Sequence, residues 1–285
     1  CRIKERGIGK YITFHNTHHL RRCLKMKSKD QVEHSLITKY RKDIWRKFMK
    51  AIRDYSLVNE NDHIAVCISG GKDSVLLAKC LEELQKHGKT NFKLSYIVMN
   101  PGYKEETLKV IKDNLEALGI DYKIFNSDIF EVANKLDKDH PCYMCARMRR
   151  GFLYKTAKDL GCNKIALGHH FDDVIETILL SMFYGGEFKT MLPKLHSTNF
   201  PSMELIRPLY LVREESIKKF WQYNEYTFIN CACKFTENKG AESNSKRLEI
   251  KKLLNELREK SDVIDNNIFK STEKVNLETI ISYQD

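Results

Sequence analysis

His63-Ile-Ala-Val-Cys-Ile68, Ser69-Gly-Gly-Lys-Asp-Ser74 and Val75-Leu-Leu-Ala-Lys-Cys-Leu81 follow one another without a break, and the reading of the chain turns on them. The first run is short and apolar, as a buried strand is, and the last has the composition of a helix. Two adjacent glycines between them let the backbone turn sharply with its N–H groups converging. The helix that follows directs its N-terminal partial positive charge at the same point. An anion is stabilised there. Lys72 adds a cation, Ser69 and Ser74 add hydroxyls, and Asp73 either caps the helix or holds Mg²⁺ beside a pyrophosphate. The plain alternative is a Gly-Gly strand-to-helix turn with a serine cap. The string has neither the spacing of a Walker loop nor the three glycines of a dinucleotide fingerprint, so those two classes are set aside.

The hexapeptide resembles the pyrophosphate loop of the N-type ATP pyrophosphatases, which include NAD and GMP synthetases, tRNA lysidine synthetase and several tRNA thiolases. That resemblance implies ATP as substrate, bound at Ser69, Gly70, Gly71, Lys72, Asp73 and Ser74 and split between its α and β phosphates. What becomes adenylated must be read elsewhere.

Pro141-Cys-Tyr-Met-Cys-Ala-Arg-Met-Arg-Arg-Gly151 places Cys142 and Cys145 just before Arg147, Arg149 and Arg150, and Cys231-Ala-Cys233 follows far downstream. Nine cysteines without a disulfide-like pattern or a recognisable signal peptide point to a reducing compartment, where paired cysteines bind metal or do redox work. Three readings compete: a zinc site closed by four thiolates, a redox dithiol, and an iron–sulfur cluster on three cysteines with one iron open. The single residue between Cys231 and Cys233 is short for a zinc knuckle. The arginines read as phosphate contacts in preference to a solvated helix face.

Gly168-His-His-Phe-Asp-Asp-Val-Ile-Glu-Thr177, Met191-Leu-Pro-Lys-Leu195 and Arg207-Pro-Leu209 lie in order between the two cysteine pairs. With the phosphate loop and the cysteines they resemble the tRNA 2-thiocytidine synthetases from about Lys39 to Leu257. The resemblance implies an enzyme that adenylates the C2 oxygen of an anticodon-loop cytidine and replaces it with sulfur. It also implies ATP, Mg²⁺ and a four-iron four-sulfur cluster as cofactors, tRNA as substrate, a cysteine desulfurase as sulfide donor, and a homodimer. Carried over by position, Cys142, Cys145 and Cys231 are the cluster ligands, with Cys233 an alternative because many relatives have two residues between the downstream pair. From their own positions in these strings, Asp73, Asp172 and Arg149 are expected in catalytic roles, and His169 and Asp173 in the nucleotide site. Two other enzymes remain, a lysidine synthetase-like one and a thiouridylase with a persulfide relay, as does a zinc-stabilised RNA-binding module without catalysis.

The Gly168–Thr177 string also has chemistry of its own. Lys164-Ile-Ala-Leu167 reads as a buried parallel strand, so the polar residues after it fall at a carboxyl edge, where doubly wound sheets bind ligands. Asp172 and Asp173 lie four and three residues before Glu176, a helical face suited to Mg²⁺ or substrate hydroxyls. Helix capping by the same acids, and plain packing for His169 and His170, are the alternatives.

Strand-like runs at Ile64–Ile68, Leu94–Met99, Lys123–Phe125 and Lys164–Leu167 alternate with helix-like runs near Val75–His87, Glu105–Leu118, Phe152–Leu160 and Val174–Phe183. Glu204–Tyr210, Glu214–Tyr223 and Tyr226–Cys231 continue the alternation. The expected class is α/β, a doubly wound, mainly parallel sheet of the ATP pyrophosphatase type with N- and C-terminal helical extensions. Residues 1–38, with Cys1, Cys23, His15, His18 and His19, are read as a flexible basic extension, and Lys39–Tyr55 as a basic amphipathic helix with Tyr40, Ile44, Trp45, Phe48 and Ile52 facing the domain. The catalytic domain spans 61–235, followed by a charged helix over Ser245–Lys260 and a polar tail in 236–285. A formal charge of +11 favours a polyanionic partner, and no apolar stretch is long enough to span a bilayer. A soluble, cytoplasmic protein is expected.

Overall fold

The computed structural model describes residues 26–129, Val132, 141–229 and 246–282, the side chains of 141–146 excepted. At its centre β1 (His63–Ile68) lies between β2 (Lys93–Asn100) and β4 (Lys164–Ala166) in a six-stranded sheet. Outward from these, β3 (Tyr122–Asn126) flanks β2, and β6 (Glu204–Ile206) then β5 (Lys194–His196) flank β4, giving the order β3-β2-β1-β4-β6-β5. All pairings are parallel except that of the edge strand β5, which runs antiparallel to β6. The strand order reverses direction on either side of β1, so its carboxyl end, together with that of β4, forms the topological switch point.

The apolar continuity of β1 has a direct cause. Ile64, Val66 and Ile68 pack into one core, while Ala65 and Cys67 pack into another on the opposite face. The first core takes side chains from α3 (Lys72–His87), α4 (Glu105–Ala117), α6 (Phe171–Leu180) and α7 (Glu214–Tyr223). Among the described helices, the second face is covered by α5 (Pro141–Asp159), through Tyr154 and Ala157. A strand buried on both faces cannot alternate apolar with polar, which is why the run reads as uniformly hydrophobic.

The N-terminal flank differs from expectation. α1 (Lys29–Ile37) lies within the stretch read as an extension, and it opens with a capping box in which Ser28 Oγ accepts from Gln31 N and Gln31 Oε1 accepts from Ser28 N. The hydroxyl of Thr38 bonds back to His34 O at 2.6 Å and closes it. A turn then leads into a π-helical segment, Arg41–Trp45, that runs directly into α2 (Arg46–Asp54), so the helix expected over Lys39–Tyr55 starts at Arg41 with a widened first turn. Its apolar stripe faces inward as read: Tyr40, Ile44 and Phe48 are buried, and Trp45 and Ile52 pack partly buried beside them. A fully buried lysine joins this flank to the domain. Lys79 of α3 bonds Glu33 of α1 at 2.6 Å, Glu82 of its own helix, and Leu118 O.

Further differences have local causes. β6 stops at Ile206 and not at Tyr210, because Pro208 offers no N–H to a ladder. Tyr226–Ile229 is irregular, its Tyr226 and Phe228 rings packed against Trp221, and Asn230 and Cys231 lie outside the described residues. α5 begins at Pro141, ahead of the expected Phe152, so the Cys142–Cys145 spacing falls on a helix. α8 (Lys246–Lys260) ends where expected, and Ser245, its expected first residue, lies outside the described residues. The tail beyond it holds α9 (Ile264–Ser271), docked through Phe269. No helix among the described residues is long and apolar enough to cross a membrane.

Candidate active site

Two strand-to-helix turns meet at the switch point and make the site. The first is Ser69–Gly71, between β1 and α3. Gly70 has φ +80°, and a Cβ there would lie 2.5 Å from the Ile111 side chain, so both backbone shape and space require glycine. Two serines close the loop: Ser74 Oγ accepts from Ser69 N at 3.1 Å, donates to Gly71 O at 2.9 Å, and lies 3.2 Å from Ser69 Oγ. No side chain caps α3, which leaves the amides of its first turn for an anion. Lys72 Nζ is held at 3.0 Å by both Asp73 and Glu214, and Trp221 Nε1 donates to Lys72 O at 2.8 Å.

The second turn, Gly168–His170 between β4 and α6, lies against the first so closely that a Cβ on Gly168 would stand 2.9 Å from Ser74 N. His170 caps α6: its Nδ1 accepts from Asp173 N at 3.3 Å while Asp173 Oδ2 accepts from His170 N at 3.0 Å. His169 Nδ1 accepts from Arg207 Nε at 3.2 Å, and since a guanidinium only donates, the His169 proton sits on Nε2. Burial, reinforced by the Arg207 charge, pushes the His169 imidazole down to about 4. It is neutral at physiological pH and can donate a hydrogen bond through Nε2.

Between the turns lies a cavity of about 370 Å³, within the range of small-ligand sites. Ser69, Asp73, Ser74, His169, Asp173 and Arg149 are among its lining residues, with Arg150 beside them and Met99, Leu153 and Leu167 as an apolar wall. Of the residues expected from sequence, Ser69, Asp73, Ser74, His169, Asp173 and Arg149 therefore meet in one space, while Gly70, Gly71 and Lys72 belong to the adjoining turn and do not line it. Arg147 is exposed outside it. Asp172 is turned away: its Oδ2 accepts from Glu214 N at 2.7 Å and its Oδ1 from Arg258 at 2.6 Å. Its place is at the start of α7, not in the cavity.

The acids around the cavity are not alike. Asp73 Oδ1 is buried without a hydrogen-bond partner, 4.0 Å from His170 Nε2, and burial lifts this carboxyl above its ordinary value against the pull of His170 and Lys72. An orphaned carboxylate oxygen beside a phosphate loop is a fit for a divalent cation, which takes one or two protein carboxylates and completes its shell with phosphate and water. Burial works to raise Asp173 as well, yet the His170 imidazole and the Arg247 guanidinium bring it below the usual range. Arg247 of α8 spans two acids, with Nε 2.8 Å from Glu176 and Nη2 3.3 Å from Asp173. Lys251 stands 3.6 Å from Glu176. Among the described residues no three His, Cys, Asp or Glu side chains converge as a protein-only metal site.

Cys142 and Cys145 are three residues apart at the start of α5, and so share one helix face. That spacing fits two thiolate ligands of one metal group; their side chains, and Cys231 and Cys233 entirely, lie outside the described residues. The described free cysteines, Cys67, Cys80 and Cys162, are buried. Burial pushes the Cys67 thiol, which borders the cavity, up to about 12, so it stays protonated and unreactive.

Arg207, Glu214, Gly168 and Arg247 escaped assignment from sequence. Gly168 and Arg207 stood in strings already singled out, at the end of a strand. Glu214 and Arg247 gave no signal, since each reaches the site from a helix that reads as ordinary charged surface.

Comparison with known proteins agrees with this geometry. A family model described as the PP-loop domain matches residues 40–234. The tRNA-cytidine(32) 2-sulfurtransferase of Idiomarina loihiensis is 41% identical over 223 residues, covering 76% of this chain and 71% of that protein. The protein of the same name from Vibrio cholerae is 41% identical over 224 residues, 76% and 69% of the two chains. Among solved structures, the U34-tRNA thiolase NcsA of Methanococcus maripaludis, with its [4Fe-4S] cluster, superposes with a TM-score of 0.63 at 25% identity, covering 82% of this chain and 78% of that one. The glycine turn with its uncapped helix, the second turn packed on it and the length of the matches agree: this chain belongs to the PP-loop family and, within it, to the tRNA-cytidine 2-sulfurtransferases.

Proposed function

We propose that this protein thiolates tRNA by using ATP to activate the C2 oxygen of an anticodon-loop cytidine, which sulfur then replaces. The observation that carries the reading is one cavity, at the switch point of the sheet, that joins an uncapped phosphate loop, an unpartnered Asp73 oxygen and Arg149 from the helix that starts with Cys142 and Cys145. The names of the relatives supply the substrate.

ATP lies with its β and γ phosphates on the amides of the first turn of α3, and Lys72, anchored by Glu214, meets the departing pyrophosphate. A Mg²⁺ held by Asp73 and phosphate oxygens would neutralise charge on that leaving group. The C2 oxygen attacks the α phosphorus, and the bond from that phosphorus to the β-bridging oxygen breaks. His169 Nε2–H and Arg149 are the donors placed to stabilise the charge that builds on the α phosphate. Sulfide then adds to C2 and AMP leaves with the original oxygen, so the oxygen replaced leaves in AMP. A four-iron four-sulfur cluster on Cys142, Cys145 and Cys231 would supply an open iron for that sulfide. Cys67 takes no part, being held as a protonated thiol. The target base must be unpaired or flipped, because pairing buries C2. The reading carries with it a cysteine desulfurase as sulfur source, a homodimeric assembly and a cytoplasmic setting.

The test is anaerobic purification with iron, sulfide and zinc analysis, followed by nucleoside analysis of tRNA incubated with ATP and sulfide. About four irons per chain, lost in Cys142→Ala, with 2-thiocytidine and AMP formed together, is the expected result. Stoichiometric zinc without iron, or AMP formation without a thiolated cytidine, would overturn it.

A further inference from the structure

Six large apolar side chains that stand exposed, Met182, Phe183, Tyr184, Phe188, Leu192 and Leu195, fall in one stretch that runs from just after α6 into the edge strand β5. Phe183 is 55% exposed and Phe188 47%. Scattered exposed hydrophobes need no explanation, but a contiguous run of them marks a surface that meets something.

The position of the run follows from the sheet. β5 is antiparallel to β6 with Lys194 opposite Ile206, and Ile206 lies opposite Ala166 of β4. The residues just before Lys194 therefore enter at the carboxyl edge, beside the phosphate cavity. Arg207 fixes them there: its N donates to Pro193 O at 2.9 Å, its guanidinium to Leu192 O, and its Nε to His169. At the other end the Tyr184 hydroxyl bonds Glu249 of α8, and Lys246 Nζ lies 4.8 Å from the centre of the Tyr184 ring. The next residue along, Arg247, reaches Asp173 and Glu176. The run is thus a rim that extends from the cavity wall to α8.

We propose that residues 182–195 are the docking surface for the unpaired nucleotides of the tRNA loop, with bases beside the target stacked on Phe183 and Phe188 and phosphates met by Lys189 and Lys246. The inference rests on the reading of the protein as a tRNA thiolase. Charge selects the occupant. Lys246 lies over the Tyr184 ring and Lys189, paired with Glu187, follows Phe188 in sequence, in a chain of net charge +11, and aromatic faces interleaved with cations are what single-stranded RNA uses. A second copy of the chain in a two-fold dimer would bring these same lysines against themselves. Gly185 and Gly186 have open space around them, so no side chain screens the Phe183 ring from that side of the chain.

The experiment measures binding of full-length, anaerobically purified protein to an unmodified tRNA transcript by fluorescence anisotropy, with light scattering for oligomeric mass and a separate ATP-analogue titration. The Phe183→Ala/Phe188→Ala double variant should bind tRNA about tenfold or more weakly. Phe183→Trp/Phe188→Trp should bind as wild type does, and ATP affinity and mass should hold in both variants. Undiminished tRNA affinity in the alanine variant would overturn the proposal, and a fall in oligomeric mass would assign the surface to a second copy instead. The two readings fail separately. Wild type that binds tRNA in this way but forms no 2-thiocytidine defeats the thiolase reading alone, whereas thiolation by the alanine variant at wild-type kcat/KM defeats the docking surface alone.

Discussion

Replacing Gly168 by alanine tests whether the two turns work as one site. A Cβ on Gly168 would lie 2.9 Å from Ser74 N, 3.0 Å from Asp73 C and 3.1 Å from Asp73 O. All three are backbone atoms of the first turn of α3, so none can rotate out of the way. Non-bonded carbon contacts settle at about 3.5–4.0 Å, so the methyl group must push α3 and the β4–α6 turn apart by about half an ångström. Overpacking of this kind costs about 1–3 kcal/mol. The displaced amides are those proposed to hold phosphate, so on that reading the cost falls largely on nucleotide binding, as a loss of about 5- to 150-fold in affinity. Calorimetric titration with a non-hydrolysable ATP analogue and Mg²⁺ reads this directly, and thermal unfolding of the unliganded variant separates it from loss of fold. Gly185→Ala is the control, since nothing lies within 4 Å of a Cβ there. A folded Gly168→Ala protein that binds the analogue within twofold of wild type would refute the coupling.

Two further outcomes follow from buried charge. Lys79→Met leaves Glu33 and Glu82 without the ammonium that joins them, and should lower the unfolding free energy in urea by about 3 kcal/mol, the low end for breaking a buried pair because both carboxylates keep some access to water; a loss under about 1 kcal/mol would show that they rehydrate freely. His169 has its imidazole lowered from 6.5 to about 4, so between those values the unfolded chain takes up a proton that the folded chain refuses; stability should fall as pH drops through that window and level off below it, and His169→Gln should flatten that part of the unfolding profile, an unchanged slope counting against the burial argument.

The central unit was legible because its signals are local. A strand buried on both faces is apolar throughout, a Gly-Gly turn needs a positive φ at Gly70, and α3 follows at once, so three neighbouring facts specify one another. The α5 arginine Arg149 could be placed by its offset from Cys145, since both are on one helix. What failed depended on partners distant in sequence. β5 is only three residues long and exists because β6 offers an edge, and α9 is held by the burial of Phe269 in a core that no window of its own sequence describes. Asp172 and Asp173 are adjacent, and spacing alone gave both to the site. The fold divides them: the N-terminus of α7 and Arg258 take Asp172, while the cavity takes Asp173.

That division has a mechanical sense. Asp172 accepts the backbone N–H of Glu214 and so fixes the first residue of α7 against α6. Burial alone would raise the Glu214 carboxyl, but Lys218 and Lys72 together hold it down at about 2, so it is ionised across the whole physiological range. Ionised and fixed, Glu214 anchors Lys72, while Trp221, two turns further along α7, bonds the Lys72 carbonyl and fixes its backbone. Lys72 is therefore held at both its head and its main chain by one helix, whose start is set by Asp172. A lysine restrained in this way loses less rotamer freedom when it meets a phosphate than one free in solvent, for which ordering a long side chain costs about 1.5–2 kcal/mol. On the proposed reading Asp172 would reach the phosphates through α7 and not by direct contact, which makes it a positioning residue.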